Sequence, residues 1–210
     1  MLALLMALVS STAPGQFAQA EALRAKGQFD EAAKEYLALV TLDPKSEFAP
    51  PALANAAVCY ESTQQFDAAE KLYERIVTEY PTSRLADAAL FRVAVSAERS
   101  YDFDKARSKY LELASRYPSS KDRPNALFNA GRLAEALQRY DEAASAYLRF
   151  ARSYAANEDA PKVQLRAALI YEKQGDRAKE REVLEEYLKK FSRADAAGLK
   201  HAKARLAVLR

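Results

Sequence analysis

Apolar and polar positions along the chain repeat as a phrase 37 residues long. An aromatic residue followed by Asp opens the phrase at Phe29, Phe66, Phe103 and Tyr140, and a degraded copy starts at Arg177. A small residue stands three places on (Ala32, Ala69, Ala106, Ala143), and a tyrosine four further (Tyr36, Tyr73, Tyr110, Tyr147). Pro44, Pro81 and Pro118 keep the same register. A fixed period of about 20–50 residues marks a stacked-repeat architecture, in which no unit can bury its apolar face alone.

Each period predicts two helices. In the second period the first helix spans roughly Leu53 to Gln65, with Leu53, Ala56, Ala57 and Tyr60 on one stripe at helical spacing. The column Ala20, Ala57, Ala94, Gly131, Ala168 never exceeds alanine. It predicts close approach to the second helix, with Ala32, Ala69, Ala106 and Ala143 as the facing column. The second helices carry Tyr36, Leu39 and Val40 and their equivalents. Burying each such ring against the next unit is worth roughly 1.5–3 kcal/mol. Tyr80-Pro81 and Tyr117-Pro118 end the second helices, because proline lacks the amide donor and disfavours helix in its predecessor. Ser or Thr after the proline, with Asp87 or Asp122 beyond, is expected to cap the next helix.

The ends depart from the pattern. Residues 1–12 begin with the uninterrupted apolar run Met1 to Val9, too short to span a bilayer, which needs about 20 residues as a helix. Two readings stay open: the core of a secretory signal or anchor, with Ser11-Thr-Ala13 or Ala18-Gln-Ala20 as cleavage motifs, or an apolar helix capping the first repeat. Five repeats fill residues 13–192. In the fifth, Arg177 replaces the aromatic, Glu180 the small alanine and Ser192 the proline. Looser packing is expected there, with Glu180→Ala neutral or stabilising. Residues 193–210 are predicted to form a capping helix with Leu199, Ala202, Leu206 and Leu209 inward and Lys200, Lys203, Arg205 and Arg210 outside.

Composition agrees with long helices: half the residues are apolar, 29% are charged and only five are glycine. The net charge of +3 is uneven, with 13 Lys/Arg against 7 Asp/Glu in residues 161–210. Acids dilute that excess too much for a nucleic-acid footprint. His201 is the only histidine and Cys59 the only cysteine, so a histidine-based metal site or a Ser-His or Cys-His catalytic pair has no support. No two glycines lie closer than twelve residues apart, so there is no phosphate-binding loop. Neither an enzyme, nor a cofactor, nor a small-molecule substrate is expected.

Helix pairs with small, aromatic and proline columns resemble tetratricopeptide repeats over about Ala13 to Phe191. The resemblance implies an all-α, right-handed superhelical solenoid of stacked antiparallel helix hairpins. The junctions Tyr80-Pro-Thr-Ser83 and Tyr117-Pro-Ser-Ser120 are similar to bacterial envelope members of the family, namely the outer-membrane barrel-assembly lipoprotein and the Tol–Pal-associated periplasmic protein. That points to the periplasm or cell envelope, with the cytoplasm as alternative. Membrane association is then indirect or through the N-terminal segment.

In such repeats the free face of the first helices lines the peptide groove. The residues there include Phe17, Phe91, Phe128, Arg132 and Leu165, followed by the acidic column Glu98, Glu135 and Glu172. One reading makes this a groove for a partner segment with apolar anchors and basic side chains; the other packs the phenylalanines between helices and leaves the glutamates solvated. Asn55 and Asn129 match the family's carboxylate-clamp type, but its lysines are mostly replaced by apolar groups. The expected function is a non-catalytic protein–protein interaction scaffold binding a protein or peptide. The alternative is a structural segment of a larger repeat protein whose ends stack on further repeats.

Overall fold

The computed structural model describes residues 12–193 and 196–209, which form eleven helices and no strand. The chain divides into two compact units, residues 1–100 and 101–210. The first holds α1 (Ala13–Ala25), α2 (Phe29–Leu42), α3 (Ala49–Ser62), α4 (Phe66–Glu79) and α5 (Ala86–Arg99). The second holds α6 (Phe103–Arg116), α7 (Arg123–Ala136), α8 (Tyr140–Ser153), α9 (Ala160–Gln174), α10 (Arg177–Lys190) and α11 (Ala196–Val208). Within each unit every helix packs on the next, and α11 also touches α9. The fold is an all-α stack of helix hairpins. Met1 to Ser11, with the signal and capping readings attached to them, lie outside the described residues. No helix among the described residues is long and apolar enough to cross a membrane.

The expected columns form the core. Tyr36, Tyr73, Tyr110 and Tyr147 are buried, as are Ala20, Ala57, Ala94 and Ala168. The small column meets something larger than alanine in the fourth repeat. A Cβ added to Gly131 would lie 2.5 Å from Cε1 of Tyr147, so the nearest neighbour of this glycine is the tyrosine ring. Close approach is real there, and its partner is the ring. Cys59 is fully buried, and burial pushes its thiol up, as for a small hydrophobe in a core.

Two backbone devices repeat at the 37-residue period. Helices within a hairpin are joined through a left-handed residue, at Gly27, Gln64, Gln138 and Gly175, and Tyr101, at the start of the second unit, is left-handed too, all with φ between 59° and 75°. The amide after the left-handed residue bonds back five residues in four cases: Gln28 to Leu23, Gln65 to Tyr60, Arg139 to Ala134 and Asp176 to Tyr171, at 2.8–3.0 Å. This is the Schellman closure, which ends a helix and reverses the chain. Helix α3 therefore stops at Ser62, ahead of the predicted end. It starts at Ala49, earlier than predicted, because Pro50 and Pro51 fall in the first turn, where no amide donor is needed.

Between hairpins, the hydroxyls of Ser46, Ser83 and Ser120 and the amide oxygen of Asn157 accept the backbone N–H two residues on, at 2.8–3.2 Å. The expected caps Asp87 and Asp122 do not act as such. Asp122 occupies an N-cap position without a side-chain hydrogen bond, and Asp87 binds the amide of its own neighbour Ala88. Side-chain caps sit instead on α1, where Thr12 accepts from Gly15 at 3.4 Å, and on second helices, where Asp102 and Asp176 accept from Lys105 and Lys179 at 3.0 and 3.1 Å.

The fifth repeat is specialised, not loose. Glu180 is 1% exposed, and its carboxylate takes both Nε and Nη2 of Arg205 on α11. Arg177 donates to the Val208 carbonyl at 2.8 Å and Arg181 to that of Leu209. The positions that break the repeat pattern are those that hold α11. Arg205→Ala should lower the thermal midpoint more than Glu180→Ala, since it strands a buried carboxylate, whereas the arginine left by Glu180→Ala keeps Glu172 at 3.3 Å. An unchanged or raised midpoint in Glu180→Ala would show that the pair holds nothing.

The left-handed positions generate a second expectation. A non-glycine residue there costs about 1–2 kcal/mol, part of which is recovered as lower unfolded-state entropy. Gln138→Gly should therefore stabilise by about 0.5–1 kcal/mol in urea unfolding. Gly175→Ala should destabilise by about 1–2 kcal/mol although a Cβ there meets nothing within 4 Å.

Candidate functional site

A buried tyrosine ring leaves a hydroxyl that needs an acceptor. First helices supply it. Tyr36 donates to Glu21 and Tyr147 to Glu135 at 3.2 Å. Burial pushes Tyr73 up to about 12, and the charge of Glu61 adds to the shift. Tyr147 is likewise pushed up to about 12 by burial, with Arg166 opposing and Glu135 adding. Tyr36 is raised further, again by burial and then by Glu21.

Each carboxylate in turn meets a nitrogen donor on the next first helix. Asn55 donates to Glu21 at 2.7 Å, Arg92 lies 3.9 Å from Glu61 and Arg166 Nε lies 2.8 Å from Glu135. Burial alone would raise Glu21, but hydrogen bonds from Arg24, Tyr36 and Asn55 more than offset it and hold the carboxyl below its usual range. The donors form their own column, Asn55, Arg92, Asn129 and Arg166. This was the signal available in the sequence: Asn55 belongs to a column of nitrogen donors and serves the fold. In the fifth repeat the tyrosine position is Leu184, which has no hydroxyl, and Glu172 pairs with Arg205.

The candidate groove residues fall into distinct surroundings. In the first unit, Phe17 packs edge-on against Tyr36, with ring centroids 5.4 Å apart, and against Phe48 at 5.5 Å. Phe91 and Glu98 are half-buried on α5. Beside them the space between α4 and α5 is nearly closed, about 10 Å³. Arg99 lies 3.9 Å over the Phe66 ring there, and Ser96 bonds Glu70.

In the second unit the face is open. Phe128 packs against Tyr147 and Phe150 at 5.9 and 6.5 Å, and its remaining surface borders a cleft of about 470 Å³. Asn125, Phe150, Asn157, Lys162, Val163 and Arg166 complete the wall with Asp159. On the other side of α9 a second cleft of about 390 Å³ is lined by Leu165, Leu169, Ile170, Lys173 and His201. Lys162, Arg166 and Glu135 also border it. Arg132 is half-buried on α7, and Glu135 and Glu172 are ion-paired within the fold. The structure thus brings Phe128, Glu135 and Leu165 to the walls of one pair of clefts. Among the described residues no three potential metal ligands cluster.

The geometry defines a class first: paired helices stacked by tyrosine into small-residue columns, with first-helix clefts. The tetratricopeptide-repeat family profile matches residues 17–84, 60–121, 94–158 and 128–197, and the chain belongs to that family. No curated protein matches it in sequence. Among solved structures, MamA is similar at 17% identity and a TM-score of 0.57, over 85% of this chain and 91% of MamA. YrrB, described as a tetratricopeptide-repeat protein with an unusual peptide-binding site, is 17% identical with a TM-score of 0.55, over 92% of each chain. A tetratricopeptide-repeat protein from Parabacteroides merdae is 17% identical with a TM-score of 0.58, over 94% of this chain and 73% of its own.

The tyrosine pairs carry a pH expectation. Tyr73 and Tyr147 titrate near 12 in the folded chain against about 10 unfolded. Their contribution to stability is complete below pH about 10 and falls as pH rises through about 12. Absorbance at 295 nm should show a fraction of tyrosines ionising only together with loss of helical circular dichroism. Ionisation of every tyrosine near pH 10 with helicity intact would contradict the buried pairing.

Proposed function

We propose that the chain is a non-catalytic protein-interaction scaffold that holds a segment of a protein partner on the first-helix face. The observation carrying this reading is the open cleft of about 470 Å³ beside Phe128, where an aromatic wall meets backbone-like amide donors on Asn125 and Asn157. Ligand sites characteristically combine an apolar wall with a few fixed polar groups. The fold shared with YrrB, described as having an unusual peptide-binding site, supports use of such a scaffold for peptide binding. Phe91, Glu98, Arg132, Leu165 and Glu172 complete the proposed contact set with Phe17, Phe128 and Glu135.

The proposed setting is a bacterial cell-envelope assembly, in the periplasm. The Tyr-Pro-x-Ser junctions and the apolar Met1 to Val9 run support it. Fractionation of the native cell, with intact mass of the recovered protein, tests the location; recovery of the full-length chain from the cytosol would overturn it.

Partner binding is tested by placing a photo-crosslinking residue at Asn125 and, as control, at Ser145 on α8. A discrete crosslinked partner is expected from the first position only. Phe128→Ala should weaken that partner's binding by about 1–3 kcal/mol, as for aromatic anchors generally, with unchanged circular dichroism. Equal crosslinking at both positions, or wild-type affinity in folded Phe128→Ala, would sink the reading.

A further inference from the structure

The scaffold reading leaves the chemistry of the partner open, and the charge distribution in the structure bears on it. Residues 1–100 carry 9 Lys/Arg against 13 Asp/Glu, net −4, while residues 101–210 carry 23 against 16, net +7. The open clefts lie in the positive unit, on both sides of α9. Along that helix Lys162, Leu165, Arg166, Leu169 and Lys173 fall on one stripe at spacings of three and four residues. Lys162 is 77% exposed, with Asp159 at 3.9 Å; Leu169 is 42% exposed; Lys173 is exposed. The corresponding stripe on α7 reads Asn125, Phe128, Asn129, Arg132 and Ala136. Two lysines flanking two leucines are therefore a feature of α9 and not of the repeat.

Two acids border these clefts, Glu135 and Asp159. Glu135 is bound to Arg166 and Tyr147, so that pair is neutral in sum. Asp159 sits at one end, beside Lys162. Lys173 stands at the other end with His201 on the same cleft wall. What remains is an apolar centre with a cation at each end.

We infer that the clefts flanking α9 take an acidic, extended segment of a protein partner, with carboxylates toward Lys162 and Lys173 and an aliphatic or aromatic side chain between them against Leu165 and Leu169. Eleven residues of helix separate the lysines by about 16 Å. An extended strand rises about 3.3 Å per residue and alternates its faces, so the matching acids stand about four or six residues apart. This inference rests on the scaffold reading and narrows it to one partner chemistry.

The test is selection of random 12-residue peptides, displayed on phage, against the full chain. Recovered peptides are expected to be enriched in Asp and Glu around Leu, Ile or Phe relative to the unselected pool. A synthetic copy of the most enriched peptide should bind about tenfold more weakly to Lys162→Glu/Lys173→Glu, and about tenfold more weakly when ionic strength rises from about 0.05 to 0.5 M. Lys189→Glu/Lys203→Glu makes the same charge change away from α9 and should stay within about twofold of wild type. Enrichment of basic or neutral peptides, or equal losses in both double variants, overturns the acidic-partner inference and leaves the scaffold reading standing. Failure to enrich any peptide overturns both. Light scattering separates the remaining occupant: a dimer of this chain dispersed by Lys162→Glu/Lys173→Glu would identify the acidic unit of a second copy and overturn the inference.

Discussion

The contact on which the rest depends is the second-helix tyrosine buried against the first helices. Its ring asks for a neighbour with little or no side chain, and Gly131 against Tyr147 is the tightest case. Its hydroxyl asks for an acceptor, met by Glu21 and Glu135. The acceptor is a carboxylate in a partly dry place and needs a donor of its own, met by Asn55 and Arg166 on the following first helix. One ring thus ties together two helices of a hairpin and the hairpin after it. A leucine of similar volume would give up the polar half of this linkage, as Leu184 does in the fifth repeat, where Glu172 turns to the terminal helix instead.

Helix number, hairpin pairing and the buried columns were legible in the sequence because they are set by residue size at a fixed period. Conformations that do not depend on residue type were not. The left-handed turn position holds Gly at 27 and 175 but Gln at 64 and 138 and Tyr at 101. No composition signal links those five residues; they share a positive φ, and four of them share the closing backbone hydrogen bond. The junction at Asn157 likewise forms without the proline found at positions 44, 81 and 118, because Asn157 supplies the same acceptor as the serines.

The acidic column shows a different limit. Glu98, Glu135 and Glu172 share a register, and a register of acids suggests a surface for cations. Glu135 and Glu172 do meet cations, but those of this chain: Arg166 and Arg205. Their partners stand 31 and 33 residues downstream, a separation that becomes contact only once hairpins stack. The degraded fifth repeat was misread for the same reason. Glu180, Arg177 and Arg181 depart from the repeat because they face α11, where the other repeats face another hairpin.

These internal pairs decide which charges remain for a partner. Arg166 borders both clefts, yet a partner carboxylate would have to displace Glu135 from it and leave the Tyr147 hydroxyl with a weakened acceptor. Removing one member of a partly buried pair costs more than a new exposed pair returns, since exposed ion pairs contribute only about 0–1 kcal/mol. Arg166 therefore belongs to the fold, which leaves the terminal lysines of the α9 stripe as the charges available to the proposed partner. Lys162 and Lys173 touch no buried column, so they can change without disturbing the stack. The proposed recognition thus rests on exposed residues outside the tyrosine linkage, which recurs as a buried ring in the first four repeats and is replaced at Leu184 in the fifth.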